Sequence, residues 1–410
     1  MQRKNSAIGT SNPIDESGAI AEPAEMAESQ AATRQPRVLL LYASAGAGHR
    51  SACAAIQRSI VDLSPAAYVK MIDILDYMPK FIAQIYSQGY VFVASRYPMI
   101  WYLMYESGSD LAKYKPFSFW EKLLWKSAMK PLFELLQYER PSHIVSAHFL
   151  SSWAAGRYKW KYDSRCVVST VVTDYGVHPV WITPGQDYVF VATEQIQAEL
   201  APFARHLGTD RILPLGIPIH PNFARRKDID PLRAKYKLDP DRYTVLILGG
   251  MFGSRNIKDI LFWLAECRTR LQLILVAGRH YPIMENIKDR MVERDIKYEI
   301  FGYIDFMDEL MAVSDLAITK AGALTTSECL AQSLPMIIFR PYPGQEVRNC
   351  DYFLEQGVAV RVDQLSGLTY KVDKILSDPA RLAAMRNRAN EIARPDSSNK
   401  IAKILLNLSD

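Results

Sequence analysis

One histidine stands where a proton could be taken from a substrate. His49 lies in the run Ser44-Ala45-Gly46-Ala47-Gly48-His49-Arg50, just behind the apolar run Val38–Leu41. Gly46 and Gly48 permit a tight turn and close backbone approach. A helix opening at this point offers free N–H groups to an anion or a polar ligand. Imidazole, with a pKa of about 6.5, is suited to take a proton from an alcohol near neutrality. The plain alternative is a histidine that caps the helix. No Gly-Lys-Ser/Thr follows, so the turn is not a P-loop. Ser51 stands where a dinucleotide fingerprint needs its third glycine.

Two further runs could hold a nucleotide. Gly249-Gly250-Met251-Phe252-Gly253-Ser254 lies between a strand and a helix. Its amides could hold a diphosphate, or it could be an ordinary turn. The most specific run is Lys320-Ala321-Gly322-Ala323-Leu324-Thr325-Thr326-Ser327-Glu328, followed by Pro341–Asn349. Its small residues put a helix N-terminus, from about Leu324, against a phosphate. Glu328 falls one turn in, on the face of Leu324 and Thr325. A carboxylate there can accept bonds from two ribose hydroxyls. Gln345, Glu346 and Asn349 bring groups suited to sugar hydroxyls. The plain alternative is a helix cap beside a polar loop.

Alternating β-branched runs and helical periods must position these residues, which argues for parallel α/β units. The first block predicts strands at Val38–Leu41, Ala67–Ile72, His143–Ala147, Cys166–Thr173 and Asp187–Ala192. Helices are expected over His49–Leu63 and Glu194–Arg205. A second block predicts strands at Val245–Leu248, Leu273–Ala277, Tyr298–Phe301, Leu316–Thr319 and Met336–Phe339, with a helix at Ile257–Cys267. Between the blocks, prolines and charges cluster over Gly216–Pro231. The expected class is α/β: two doubly wound domains facing each other across a cleft, with ligands outside the carboxyl ends of the strands. The expected division is a disordered tail over 1–36, a first domain over 37–218 and a second over 219–410. The last helix is free to pack back on the first domain.

Composition narrows the class. The 410 residues are 49% hydrophobic and 23% charged, ordinary for a globular chain of two domains. Five scattered cysteines without a C-x-x-C pair argue against a zinc ribbon or a disulfide framework and suit a reduced compartment. The net charge of +5 does not suggest a nucleic-acid binder. Residues 37–130 hold 11 Lys and Arg against 6 Asp and Glu. Such a surplus suits anionic lipid head groups or is simply a basic face. No run is apolar and long enough for a secretory signal or a membrane span. The acidic pairs Asp228–Asp230 and Asp239–Asp241 read as solvated loops, and no metal cluster is expected.

With these residues in view, the chain resembles the diacylglycerol glycosyltransferases: the monogalactosyldiacylglycerol synthases and the processive diacylglycerol glucosyltransferases. They are related to the N-acetylglucosaminyltransferase that forms lipid II. The matching stretches are Ser44–Ser51, Val171–Trp181, Leu215–Pro221, Phe301–Leu310 and Lys320–Gly357. The resemblance implies the GT-B fold and a UDP-sugar held mainly by the second domain. Tyr303 and Ile304 would face uracil. Gly250, Phe252 and Gly253 would line the diphosphate with Gly322, Ala323 and Leu324, in the run that includes Lys320 and Thr325. Glu328 would hold the ribose, and Gln345, Glu346 and Asn349 the donor sugar. The family's base corresponds to His49. Asp174 and His178, in Thr173-Asp174-Tyr175…His178…Trp181, would orient His49 or bind the acceptor. Lys320-Ala321-Gly322-Ala323 departs from the Lys-Pro-Gly-Gly of the processive enzymes. Glucose, galactose and N-acetylglucosamine therefore stay open as donor sugars.

The implied activity is inverting, metal-independent transfer of a hexose from UDP-glucose or UDP-galactose to diacylglycerol or a glycosyl-diacylglycerol, with no cofactor. It places the protein peripherally on the cytoplasmic face of the cell membrane. Residues 86–130 fit a docking surface of aromatics and lysines, among them Tyr97, Trp101, Tyr102, Trp120, Trp125, Lys122 and Lys126. Gly48 would sit beside the acceptor. The alternative for the docking stretch is a core of aromatics. Rival functions are N-acetylglucosamine transfer, a UDP-N-acetylglucosamine 2-epimerase, or a silent UDP-sugar sensor that does not need His49.

Overall fold

A computed structural model describes residues 36–44, 46–86, 97, 128–176, 178–252, 254–278 and 295–407. The tail read over 1–36 lies outside them but for Pro36, and so do Gly253 and, except for Tyr86, Tyr97 and 128–130, the docking stretch.

Two six-stranded sheets are formed, every pairing parallel. The first holds β1 (Arg37–Tyr42), β2 (Tyr68–Asp73), β3 (His143–Ser146), β4 (Val167–Val171), β5 (Tyr188–Phe190) and β6 (Ile212–Leu213) in the order β2-β1-β3-β4-β5-β6. The second holds β7 (Tyr243–Leu248), β8 (Leu271–Val276), β9 (Lys297–Phe301), β10 (Leu316–Thr319), β11 (Met336–Phe339) and β12 (Ala359–Val362) in the order β12-β11-β10-β7-β8-β9. Strands buried on both faces need continuous apolar runs, and Leu271–Val276 is buried at every position. The strand order reverses between β1 and β3 in one sheet and between β7 and β10 in the other. Such switch points open a crevice at the carboxyl ends of their strands.

The helices are α1 (Ala47–Leu63), α2 (Lys130–Glu139), α3 (Phe149–Lys161), α4 (Glu194–Leu200), α5 (Ile229–Lys235) and α6 (Ser254–Leu264). They continue with α7 (Met307–Ala312), α8 (Ala323–Ala331), α9 (Gln345–Glu355), α10 (Leu368–Leu376), α11 (Pro379–Ile392) and α12 (Ser397–Leu405). α1 buries Ala52, Cys53, Ile56 and Ile60, one stripe at helical spacing. Against that core pack Ile401, Ala402 and Leu405 of α12, and Ser397 Oγ donates to the Gly216 carbonyl at 3.0 Å. The last helix thus returns to the first sheet.

Three local expectations are corrected. α4 stops at Leu200 rather than Arg205, because Pro202 has no N–H and its ring clashes with the carbonyl four residues back. Strands β6 and β12 are additional; the first has two residues and the second starts behind Gly357, at φ 72°. Asp228 and Asp230 open α5 rather than a loop. Asp239 is held by Lys297 at 3.0 Å and Arg242 at 3.2 Å, and these cations keep its carboxyl low, at about 2.

Candidate active site

The loops at the first switch point carry two histidines. β1 ends at Tyr42, and the turn behind it delivers His49 in the first turn of α1. β3 ends at Ser146, and His148 caps the N-terminus of α3. The two rings meet edge to face, 4.8 Å apart at 89°. His49 Nδ1 lies 3.1 Å from Thr173 Oγ1, and Trp181 stands 6.4 Å from the ring. Burial pushes the His49 pKa down to about 4, opposed by a bond to the Ala147 carbonyl. The ring is therefore neutral at physiological pH, the form that accepts a proton. Some of its surface still meets solvent, as expected for the wall of a cleft.

The second switch point faces it. The turn Gly249–Met251 follows β7, and Lys320–Gly322 follows β10 and leads into α8. A side chain added at Gly46, Gly250 or Gly322 would meet nothing within 4 Å, so three glycine turns border open space. A side chain at Gly48 would meet Leu324 at 3.5 Å. Ala323 and Leu324 join the core of the first sheet, so the starts of α1 and α8 abut across the gap. Both helices aim free N–H groups and positive dipole ends there, a setting for an anion. Glu328 lies one turn into α8. Burial pushes its carboxyl up to about 8, and Asp308 adds to this. Lys320 is nearly buried, gives its Nζ to the Arg340 carbonyl at 2.6 Å and stacks over Tyr342 at 4.0 Å. Burial lowers its pKa; Glu346 opposes this and Arg340 adds to it. Glu346 accepts from the Tyr342 N–H at 2.8 Å, and burial raises its carboxyl. Gly344, at φ 90°, turns the chain into α9 where another residue would be strained.

Asp174 and Tyr175 join the halves. Gln345 Nε2 donates to Asp174 Oδ1, and Asn349 also bonds this carboxyl. Asn349 Oδ1 accepts from the Tyr175 N–H at 2.8 Å, and its Nδ2 donates to the Ala321 carbonyl at 3.1 Å. The Tyr175 hydroxyl meets Ser327 Oγ at 2.8 Å, and its ring stacks on Tyr352 at 4.9 Å. Asp174 is 4% exposed; burial pushes its carboxyl up to about 7, partly offset by Gln345 and Asn349. Thus Asp174 bonds the second half, while Thr173 is the side chain at His49. His178 caps a 3-10 turn, its Nδ1 accepting from the Val180 N–H at 3.1 Å.

The remaining candidates are spread around the cleft. Phe252 packs its ring on Phe339 in the second core, so its main chain is what a donor could meet. Tyr303 is 87% exposed behind β9, and Ile304 packs beside it on the core. Thr325 is half-buried in α8. Tyr97 is exposed; Trp101, Tyr102, Trp120, Lys122, Trp125 and Lys126 lie outside the described residues. Among the described residues no group of three His, Cys, Asp or Glu could hold a metal ion, and no helix is long and apolar enough to cross a membrane. Sequence reasoning missed His148. It follows a strand, but only the strand order places that strand at the switch point.

The sequence matches the family description "Monogalactosyldiacylglycerol (MGDG) synthase" over residues 49–219 and "Glycosyltransferase family 28 C-terminal domain" over 244–401. The chain belongs to the diacylglycerol glycosyltransferase family. The processive diacylglycerol beta-glucosyltransferase of Bacillus subtilis (strain 168) is 25% identical over 375 residues, 91% of this chain and 96% of that one. Acinetobacter baumannii MurG superposes with a TM-score of 0.61 at 13% identity, covering 91% of this chain and all (100%) of MurG. UDP-GlcNAc 2-epimerase from Neisseria meningitidis, bound to UDP-GlcNAc, gives 0.56 at 13% identity, over 90% of this chain and 100% of that one. The fold is GT-B, and since that fold also carries an epimerase, it does not choose the reaction.

Proposed function

We propose that the protein transfers a hexose from UDP-glucose or UDP-galactose to diacylglycerol or a glycosyl-diacylglycerol, with inversion and without a metal, at a membrane surface. The observation that carries the reading is His49: a neutral imidazole at one switch point, in the first turn of a helix whose start abuts the helix start of the other. Family membership supports a lipid acceptor. In the reaction, His49 takes the proton of the acceptor hydroxyl as that oxygen attacks the anomeric carbon. The bond from that carbon to the diphosphate breaks on the opposite face, and UDP leaves with the electron pair. Amides of the Gly249–Met251 and Lys320–Gly322 turns and the α8 dipole stabilise the departing charge. Glu328 holds the ribose, and a closed cleft limits hydrolysis.

The test uses the full chain, vesicles of diacylglycerol and anionic lipid, and UDP-glucose, UDP-galactose or UDP-N-acetylglucosamine, each with and without EDTA. The expected product is a β-linked hexosyl lipid, formed equally in EDTA. Epimerised sugar nucleotide without any glycolipid would instead identify an epimerase, and an EDTA-sensitive rate would remove the metal-free step.

A further inference from the structure

We propose that His148 is a positioning residue for His49: an imidazole that packs edge to face against the base, holds its ring in place and shields it from water. This rests on the transfer reading given above. His148 Nδ1 accepts the Leu150 N–H at 3.1 Å, an orphan donor at the start of α3. That fixes the proton on Nε2, which lies 3.3 Å from the Tyr86 hydroxyl. A second proton would have to sit on Nδ1, opposite a backbone donor, and would break the cap. His178 and His220 cap their turns by the same Nδ1 bond; His148 adds to its cap the edge-to-face contact with His49. Phe149 at 4.3 Å and Tyr86 at 5.9 Å also pack against the ring. Burial and the neighbouring His49 push its own pKa well down, in the same direction as the cap.

The consequence falls on His49. Its Nδ1 lies against Thr173, a ring N–H bonds the Ala147 carbonyl and His148 packs on the ring; in the proposed step Nε2 meets the acceptor hydroxyl. The titratable groups around it are His148, Tyr86 in contact with that ring, and Cys53 one turn along α1, whose thiol burial raises. Asp174, one residue past Thr173, is taken by Gln345. None of them supplies an anion that would stabilise imidazolium, so the shield of His148 keeps the base low.

The test is His148→Asn, because the Asn side-chain oxygen can keep the cap while the ring is lost. Two readouts are taken on the full chain: the His49 ring titration by NMR, and transfer kinetics on diacylglycerol vesicles. The variant is expected to raise the His49 pKa by at least about one unit as water reaches the ring. Its kcat is expected to fall about 10- to 100-fold through misplacement of the base, at unchanged donor KM. The acid limb of kcat should move up with the NMR value, which a purely structural role would not do. A folded variant with unchanged titration and unchanged kcat overturns the proposal. Tyr86→Phe leaves ring and cap in place and removes one hydroxyl; it should lower kcat several-fold. Full activity there, beside a His148→Asn chain that does not fold, also overturns it. A shifted titration in a chain that transfers no sugar keeps the ring pairing and sinks the transfer reading.

Discussion

Asp174→Asn is the substitution whose effect the structure specifies most fully. The carboxyl is nearly buried at the seam, and burial pushes it up to about 7 from the usual 3.8. Because the folded value is raised, the native state holds a proton that the unfolded chain releases, and stability falls as pH rises from about 4 through 7. At pH 8 the whole shift counts, a penalty of about 4 kcal/mol; at pH 5 about 2 kcal/mol is already present. Asn keeps an oxygen for Gln345 Nε2 and has no charge to bury. The variant's advantage over the wild type should therefore grow by about 2 to 3 kcal/mol between pH 5 and pH 8. Urea unfolding of both proteins at several pH values measures it. Subtracting the curves removes Glu328, whose raised carboxyl contributes a slope of the same sign to both chains. A difference that is flat with pH would refute a buried, proton-holding Asp174.

Three further outcomes follow from the same geometry. Tyr175→Ala removes two ring contacts and the bond to Ser327, and should cost about 2 kcal/mol, read as a lower urea midpoint; an unchanged midpoint would show that the seam does not depend on it. Glu328→Gln should raise the donor KM about tenfold with a smaller effect on kcat; an equal KM would place the ribose elsewhere. With His49 titrating at about 4, the base is already unprotonated well below neutrality, so transfer should show no acid limb near 6.5; a limb there would mean that the ring is solvated.

The fold was legible because its strands are apolar runs. Leu316–Thr319 and Met336–Phe339 are bounded in the structure as the sequence suggests, since strands buried on both faces leave little ambiguity. Two-residue β6 has no pattern to read. At the site, glycine turns announced the starts of α1 and α8. Their partners were not legible, because contacts across the gap join residues far apart in the chain. Gln345 and Asn349 show it: four apart, they share a face of α9, and amides on a helix face suit a sugar. Nothing local reveals that Asp174, 171 positions from Gln345, sits against that face. His148 escaped notice for another reason. It sits in an apolar run without a glycine turn, and only the strand order shows that β3 lies next to β1.

The most direct test of the central claim is the pairing of transfer with UDP binding in His49→Ala. UDP affinity is measured by calorimetry and hexose transfer on diacylglycerol vesicles. With the base removed and the nucleotide pocket intact, the rate should fall about 10²- to 10⁴-fold while the Kd for UDP stays within about twofold. A variant that transfers at the wild-type rate would contradict the assignment of the base.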